Sequence, residues 1–98
     1  MKRILAKSTL RAFWELHPDS KIYLQTWYEI AVQAVWKSPD EIKQVFAQTS
    51  ILKDSRIVFN IKGNQYRMVV KINYPKQWMF IRFIGTHAEY DKIDATTI

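Results

Sequence analysis

The chain of 98 residues has no cysteine. That excludes disulfides and thiolate metal sites, and it fits a cytoplasmic protein. Glycine is scarce as well: two glycines and three prolines stand against 48% hydrophobic residues, the balance of a folded chain rather than a disordered one. The length predicts one domain, residues 1–98, with a modest core. The N-terminus MKRILAKSTL starts basic but has only the short apolar run Ile4 to Ala6 before Lys7, so it lacks the apolar segment of a signal peptide. No apolar run approaches membrane-spanning length, and no membrane contact is expected.

The most informative absence is acidic. From Ser55 to His87 there is no Asp or Glu, while Arg56, Lys62, Arg67, Lys71, Lys76 and Arg82 all lie in that stretch of a chain whose net charge is +6. A one-sided cationic segment points to a polyanionic partner, with nucleic acid foremost.

There is no internal repeat, low-complexity segment or interdomain linker. Lys2 to Ala6 can form an opening strand. Ser8 or Thr9 can cap a first helix, LRAFWELH, in which Leu10, Phe13, Trp14 and His17 recur at helical spacing. Pro18 interrupts it, with His17 at its C-terminus. A second helix is predicted from Asp19 or Ser20 to Trp36, with Tyr23, Trp27, Ile30, Ala31 and Ala34 on its core face. KSPDEIKQVF predicts a third, ending near Phe46 or Ala47, in which Ser38 and Glu41 form a capping box and Pro39 takes the first helical position.

The second half changes period. RIVFN, QYRMVVKINY and WMFIRFIG read as three strands joined by turns at Gly63-Asn64 and Pro75-Lys76. In the middle strand Tyr66, Met68, Val70, Ile72 and Tyr74 alternate with Gln65, Arg67, Val69, Lys71 and Asn73. One sheet face should therefore pack on the helices while the other stays polar and basic. Two-residue turns pair Asn60 with Arg67, Arg56 with Lys71, Val69 with Arg82, and Lys71 with Phe80. Arg67 and Arg82 then become diagonal neighbours on the basic face.

Two guanidinium groups side by side with no acid nearby suit a phosphate, whose oxygens match their planar donor fork. Trp78 and Phe80 on the same face offer stacking surfaces for unpaired bases. His87 follows the last strand, with Tyr90 and Asp91 behind it, and histidine titrates near neutrality. Metal-free RNA cleavage needs a base for the 2′-hydroxyl, an acid for the leaving 5′-oxygen, and compensation of the phosphorane charge. Arg67 and Arg82 can supply the last. His87 and Tyr90 are candidates for the proton transfers, in either order, and Asp91 can orient His87. A metal nuclease would want clustered carboxylates, which the acid-free strands lack.

SPDEIKQVF, RIVFNIKGNQYRMVVKINY and FIRFIGTHAEYDKID resemble the HigB family of bacterial toxins, within the RelE-like superfamily. The resemblance spans nearly the whole chain. Its most specific parts are FNIKGNQYR and GTHAEYDKID, and WELHPD and WKSP agree with it. It implies an α+β, RelE-like fold, with N-terminal helices on one face of a small, mainly antiparallel sheet. It also implies an endoribonuclease that acts on mRNA, usually on the translating ribosome, without a cofactor. The implied partner is a HigA-type helix-turn-helix antitoxin, through which alone the toxin would reach operator DNA. The family's catalytic positions map to Arg67, Arg82, His87 and Tyr90. Arg56 and Lys62 map as RNA contacts, joined by Lys71 and Trp78 on the basic face. Two other readings stand beside this one: a non-catalytic inhibitor on the same fold, comparable to ParE relatives, and a plain RNA-binding module.

Overall fold

The computed structural model describes all residues from Met1 to Ile98. β1 (Arg3–Leu5) leads into α1 (Lys7–Leu16), and a 3₁₀ turn (Pro18–Ser20) joins α1 to α2 (Lys21–Gln33). α3 (Pro39–Val45) precedes β2 (Thr49–Ile51), β3 (Arg56–Ile61), β4 (Tyr66–Asn73) and β5 (Trp78–Thr86), and α4 (His87–Tyr90) follows. The five strands form one sheet in the order β1-β5-β4-β3-β2. Only the β1–β5 pair is parallel; the others are antiparallel. The α+β architecture is the expected one, with β2 as an additional short edge strand.

The core lies between the helices and one sheet face. Leu10 and Phe13 of α1 and Leu24, Trp27 and Ala31 of α2 pack against Ile57, Phe59, Met68, Val70, Met79 and Ile81. Trp27 meets Phe59 edge-on at 5.4 Å between ring centroids, a geometry that adds about 0.5–1.5 kcal/mol beyond area burial. The alternation predicted for β4 holds: Tyr66, Met68, Val70 and Ile72 are all buried on this side.

The helices differ from expectation in detail. α1 starts one residue before Ser8, after Ala6 in a left-handed conformation (φ 69°), so neither Ser8 nor Thr9 caps it. The buried stripe of α2 runs through Leu24, Trp27 and Ala31, which leaves Tyr23 exposed. α2 ends at Gln33 rather than Trp36: Ala34 is extended, and the Met1 amino group donates to the Ala31 (2.7 Å), Val32 (3.3 Å) and Ala34 carbonyls. That arrangement satisfies the free carbonyls of the last turn, and the chain then bends so that Trp36 enters the core. Pro39 opens α3 as expected. The Ser38 side chain makes no cap, however, and Glu41 reaches the Lys37 amide at 3.4 Å instead.

Asp19 ties the 3₁₀ turn to the β3–β4 hairpin. Its carboxylate accepts from Lys62 Nζ at 2.8 Å and from the Tyr66 hydroxyl at 2.7 Å. The hydrogen bonds from Lys62 and Tyr66 hold the Asp19 carboxyl below its ordinary pKa. The same Asp19 contact raises that of the Tyr66 phenol. A lowered carboxylate contributes stability above its unfolded value of about 4 and loses it as pH falls through the folded value. Urea midpoints should therefore drop more between pH 5 and pH 3 for the wild type than for Asp19→Asn. Parallel curves for the two proteins would contradict this.

Candidate active site

The strand registers place the basic residues. β3 and β4 pair as predicted, with Asn60 opposite Arg67 and Arg56 opposite Lys71. The β4–β5 hairpin also begins as predicted, with Lys71 opposite Phe80 and Val70 opposite Ile81. The register then shifts, and Val69 faces Phe83 while Arg67 faces Gly85. Arg82 is thus the extra residue of a β-bulge, which re-aims side chains where it occurs. The expected Val69–Arg82 pair is corrected, and so is the diagonal contact of Arg67 with Arg82: Phe83 stands in that place.

The apolar spacing explains the bulge. Met79 and Ile81 face the core two residues apart, but the next core residue is Ile84, three further on. The extra residue turns Ile84 toward Met68 and leaves Phe83 on the opposite face, beside Tyr90 and Ile93. Arg82 is exposed and, with Ser55, Lys71 and Phe80, lines a concavity of about 520 Å³.

Arg67 stands nearer the proton-transfer candidates. Its guanidinium carbon lies 5.1 Å from the centroid of the Tyr90 ring, and its Nη2 donates to Asn64 Oδ1 at 3.4 Å. Its Nε is buried and has no hydrogen-bond partner, a cost that an anionic acceptor beside the guanidinium would offset. Tyr90 also packs near Phe83, at 6.5 Å between centroids.

His87 is fixed by the end of the sheet and by a short helix. Its amide donates to the Gln65 carbonyl at 3.1 Å, which ties it to the β3–β4 turn. Thr86 and Glu89 form a reciprocal cap around it: the Glu89 amide donates to Thr86 Oγ1 (3.2 Å), and the Thr86 amide donates to Glu89 Oε1 (2.8 Å). The Thr86 amide, and then its hydroxyl, hold the Glu89 carboxyl below its ordinary pKa. One helical turn on, Asp91 Oδ2 lies 3.2 Å from His87 Nδ1, and both side chains are about half exposed. A carboxylate on Nδ1 favours the tautomer that leaves Nε2 as the proton acceptor. T-x-x-E is a readable capping signal, so Thr86 and Glu89 were visible in the sequence, although the reading there ends the strand at Gly85 and assigns neither residue a role.

Gly85 allows the close approach. A Cβ there would lie 2.6 Å from the Phe83 ring and 3.1–3.2 Å from Glu89. Gly85→Ala should displace the ring and the cap, at about 1–3 kcal/mol of stability. A melting temperature equal to wild type would show that the region yields freely.

Two of the expected RNA contacts, Arg56 and Lys62, are engaged elsewhere. Arg56 is buried rather than open: its Nε donates to the Ile98 carbonyl at 3.0 Å, and Asp54 lies 4.0 Å away. The C-terminal segment crosses this face, and Ala95 packs on Val58 and Val69, so part of the supposedly polar face is a second small core. Lys62 is committed to Asp19 on the hairpin's flank. Lys71 remains exposed opposite Phe80. Trp78 is flanked by Arg3 and Lys76, with cation–ring distances of 5.1 and 4.8 Å. No three His, Asp or Glu side chains are grouped so as to hold a metal ion. No helix is long and apolar enough to cross a membrane.

The profile of the HigB toxin family, described as the RelE-like toxic component of a toxin–antitoxin system, matches residues 20–93. The chain belongs to the HigB toxin family. HigB relatives extend the match: the mRNA interferase toxin HigB of Escherichia coli K12 is 30% identical over 90 residues, covering 90% of this chain and 86% of its own. The mRNA interferase HigB of Shigella flexneri matches to the same extent. That of Escherichia coli O6:H1 is 25% identical over 92 residues, covering 92% of this chain and 89% of its own. Membership as the toxic component implies an antitoxin partner.

Proposed function

We propose that this HigB-family chain is a cytoplasmic endoribonuclease that cleaves mRNA on the translating ribosome by metal-independent attack of the 2′-hydroxyl. The observation that carries this reading is the grouping of Arg67, Tyr90, His87 and Asp91 at one end of acid-free strands. The names of the relatives, mRNA interferases, agree with it.

His87 and Tyr90 divide the two proton transfers. One takes the proton of the 2′-hydroxyl as its oxygen attacks phosphorus; the other gives a proton to the 5′-oxygen as the P–O5′ bond breaks. The products are a 2′,3′-cyclic phosphate and a 5′-hydroxyl. Arg67 offsets the charge on the phosphorane's equatorial oxygens, and Asp91 holds the His87 ring. Arg82 and Lys71, with Phe80 and Trp78, grip the adjoining backbone and bases. Such contacts read no sequence, so the ribosome supplies the aligned substrate. The partner is a HigA-type helix-turn-helix antitoxin, through which the toxin reaches operator DNA. End-group chemistry tests the mechanism: upstream fragments should end in a 2′,3′-cyclic phosphate, and a 3′-hydroxyl would overturn it.

A further inference from the structure

The β3–β4 turn reaches both halves of the candidate site. Lys62 (φ 51°) and Gly63 (φ 63°) are both left-handed, and the Gln65 amide closes the turn on the Lys62 carbonyl at 3.2 Å. The reversal brings Asn64 back over the strands it joins. Asn60 Nδ2 donates to Asn64 Oδ1 at 3.2 Å, and Arg67 Nη2 donates to the same oxygen at 3.4 Å. Asn60 and Arg67 are cross-strand partners, so both reach that oxygen from one face of the sheet. The next residue, Gln65, accepts from the His87 amide at 3.1 Å.

The shared acceptor has a specific chemistry. An amide oxygen has two lone pairs; one takes the Asn60 N–H and the other the guanidinium. The Asn60 bond settles which end of the Asn64 amide faces Arg67, since a turned amide would set its own N–H groups against the guanidinium. Arg67 has no other side-chain hydrogen bond, and none of the chain's three ion pairs includes it. Asn64 thus holds Nη2 while the Tyr90 ring lies 5.1 Å from the guanidinium carbon, and the positive charge stays uncompensated. A carboxylate at Asn64 would grip Arg67 harder but offset the charge that a phosphorane needs. The cluster is also poor for stability: Asn60 Oδ1 and Arg67 Nε are both buried without partners, and such groups in a native fold call for a role beyond packing.

We propose that Asn64 is a positioning residue for Arg67, with Asn60 fixing the Asn64 amide, so that the guanidinium is oriented with its charge intact. The inference rests on the nuclease reading for its link to catalysis, and it gives Asn60 and Asn64 no contact with RNA.

Single-turnover cleavage of ribosome-bound mRNA, together with nitrogen relaxation of the Arg67 side-chain N–H, tests it. Asn64→Ala should lower kcat by about 10- to 100-fold, as a misplaced reacting group does, leave KM near wild type, and free the Arg67 side chain. Asn64→Asp keeps the acceptor oxygen, so Arg67 should stay ordered and the melting temperature hold or rise, yet kcat should fall about as far. Asn60→Ala should cost less than Asn64→Ala, and the double alanine variant should be no worse than Asn64→Ala alone, because Asn60 acts through Asn64. Wild-type kcat in either Asn64 variant, an equally ordered Arg67 in Asn64→Ala, or additive losses in the double variant overturns the proposal. A wild-type chain that cleaves no RNA, with Arg67 ordered there and released in Asn64→Ala, refutes the nuclease reading and leaves the positioning of Arg67 standing.

Discussion

Arg67→Ala should lower the rate of RNA cleavage by about 10²–10³-fold, the usual effect of removing a preorganised donor to a developing oxyanion. The chain should still fold, because Arg67 lies on the sheet face away from the main core. Its buried Nε has no partner, so the alanine also removes an unsatisfied donor, and the melting temperature should hold or rise. Arg67→Lys should recover little activity, because an ammonium keeps the charge but loses the planar fork. The loss should fall on kcat more than on KM if the guanidinium meets the phosphorane rather than the ground-state phosphate. Single-turnover cleavage of ribosome-bound mRNA separates the two. Wild-type kcat for a folded Arg67→Ala protein would remove Arg67 from the chemistry.

His87→Ala should cost about 10²–10⁴-fold, the range for losing a positioned general acid or base. The pH profile carries more than the rate. Loss of an imidazole that transfers a proton should change the shape of the rate–pH curve, whereas a structural histidine would leave the shape and lower the height. Asp91→Asn keeps the size of the side chain at 3.2 Å from Nδ1 but removes the charge, and its loss should be smaller than that of His87→Ala. Both side chains are about half exposed, so neither change should unfold the chain. Tyr90→Phe completes the series: it keeps the ring under Arg67 and removes only the hydroxyl.

Much of the sheet was legible because its alternation is strong. Five residues from Tyr66 to Tyr74 mark the core face of β4, and the turns at Gly63 and Pro75 set both registers at their starts. Local signals could not settle the bulge on their own, since Arg82 reads as one more outward residue; the three-residue step from Ile81 to Ile84 was the available sign. The covered patch had a sign too. Val58 and Val69 sit on the face expected to be polar, and the C-terminal segment uses them, burying Arg56 on the way. Ion pairing across long sequence separations was not legible: nothing local connects Lys62 to Asp19, which lies across the tertiary structure. The caps show both outcomes. The T-x-x-E cap at Thr86 forms, while S-x-x-E at Ser38 has the residues without the bonds.

The site residues named from sequence separate in space. Arg67, Tyr90, His87 and Asp91 gather at the end of β5, while Arg82 and Lys71 line the neighbouring concavity. That division predicts different losses, in chemistry for the first group and in grip for the second.

The most direct test maps 5′ ends of cellular mRNA by primer extension after induction, for the wild type and for Arg67→Ala at equal protein level. New discrete ends with the wild type, lost with the variant, are the predicted result. Growth arrest without new ends, or the same ends from the variant, would contradict it.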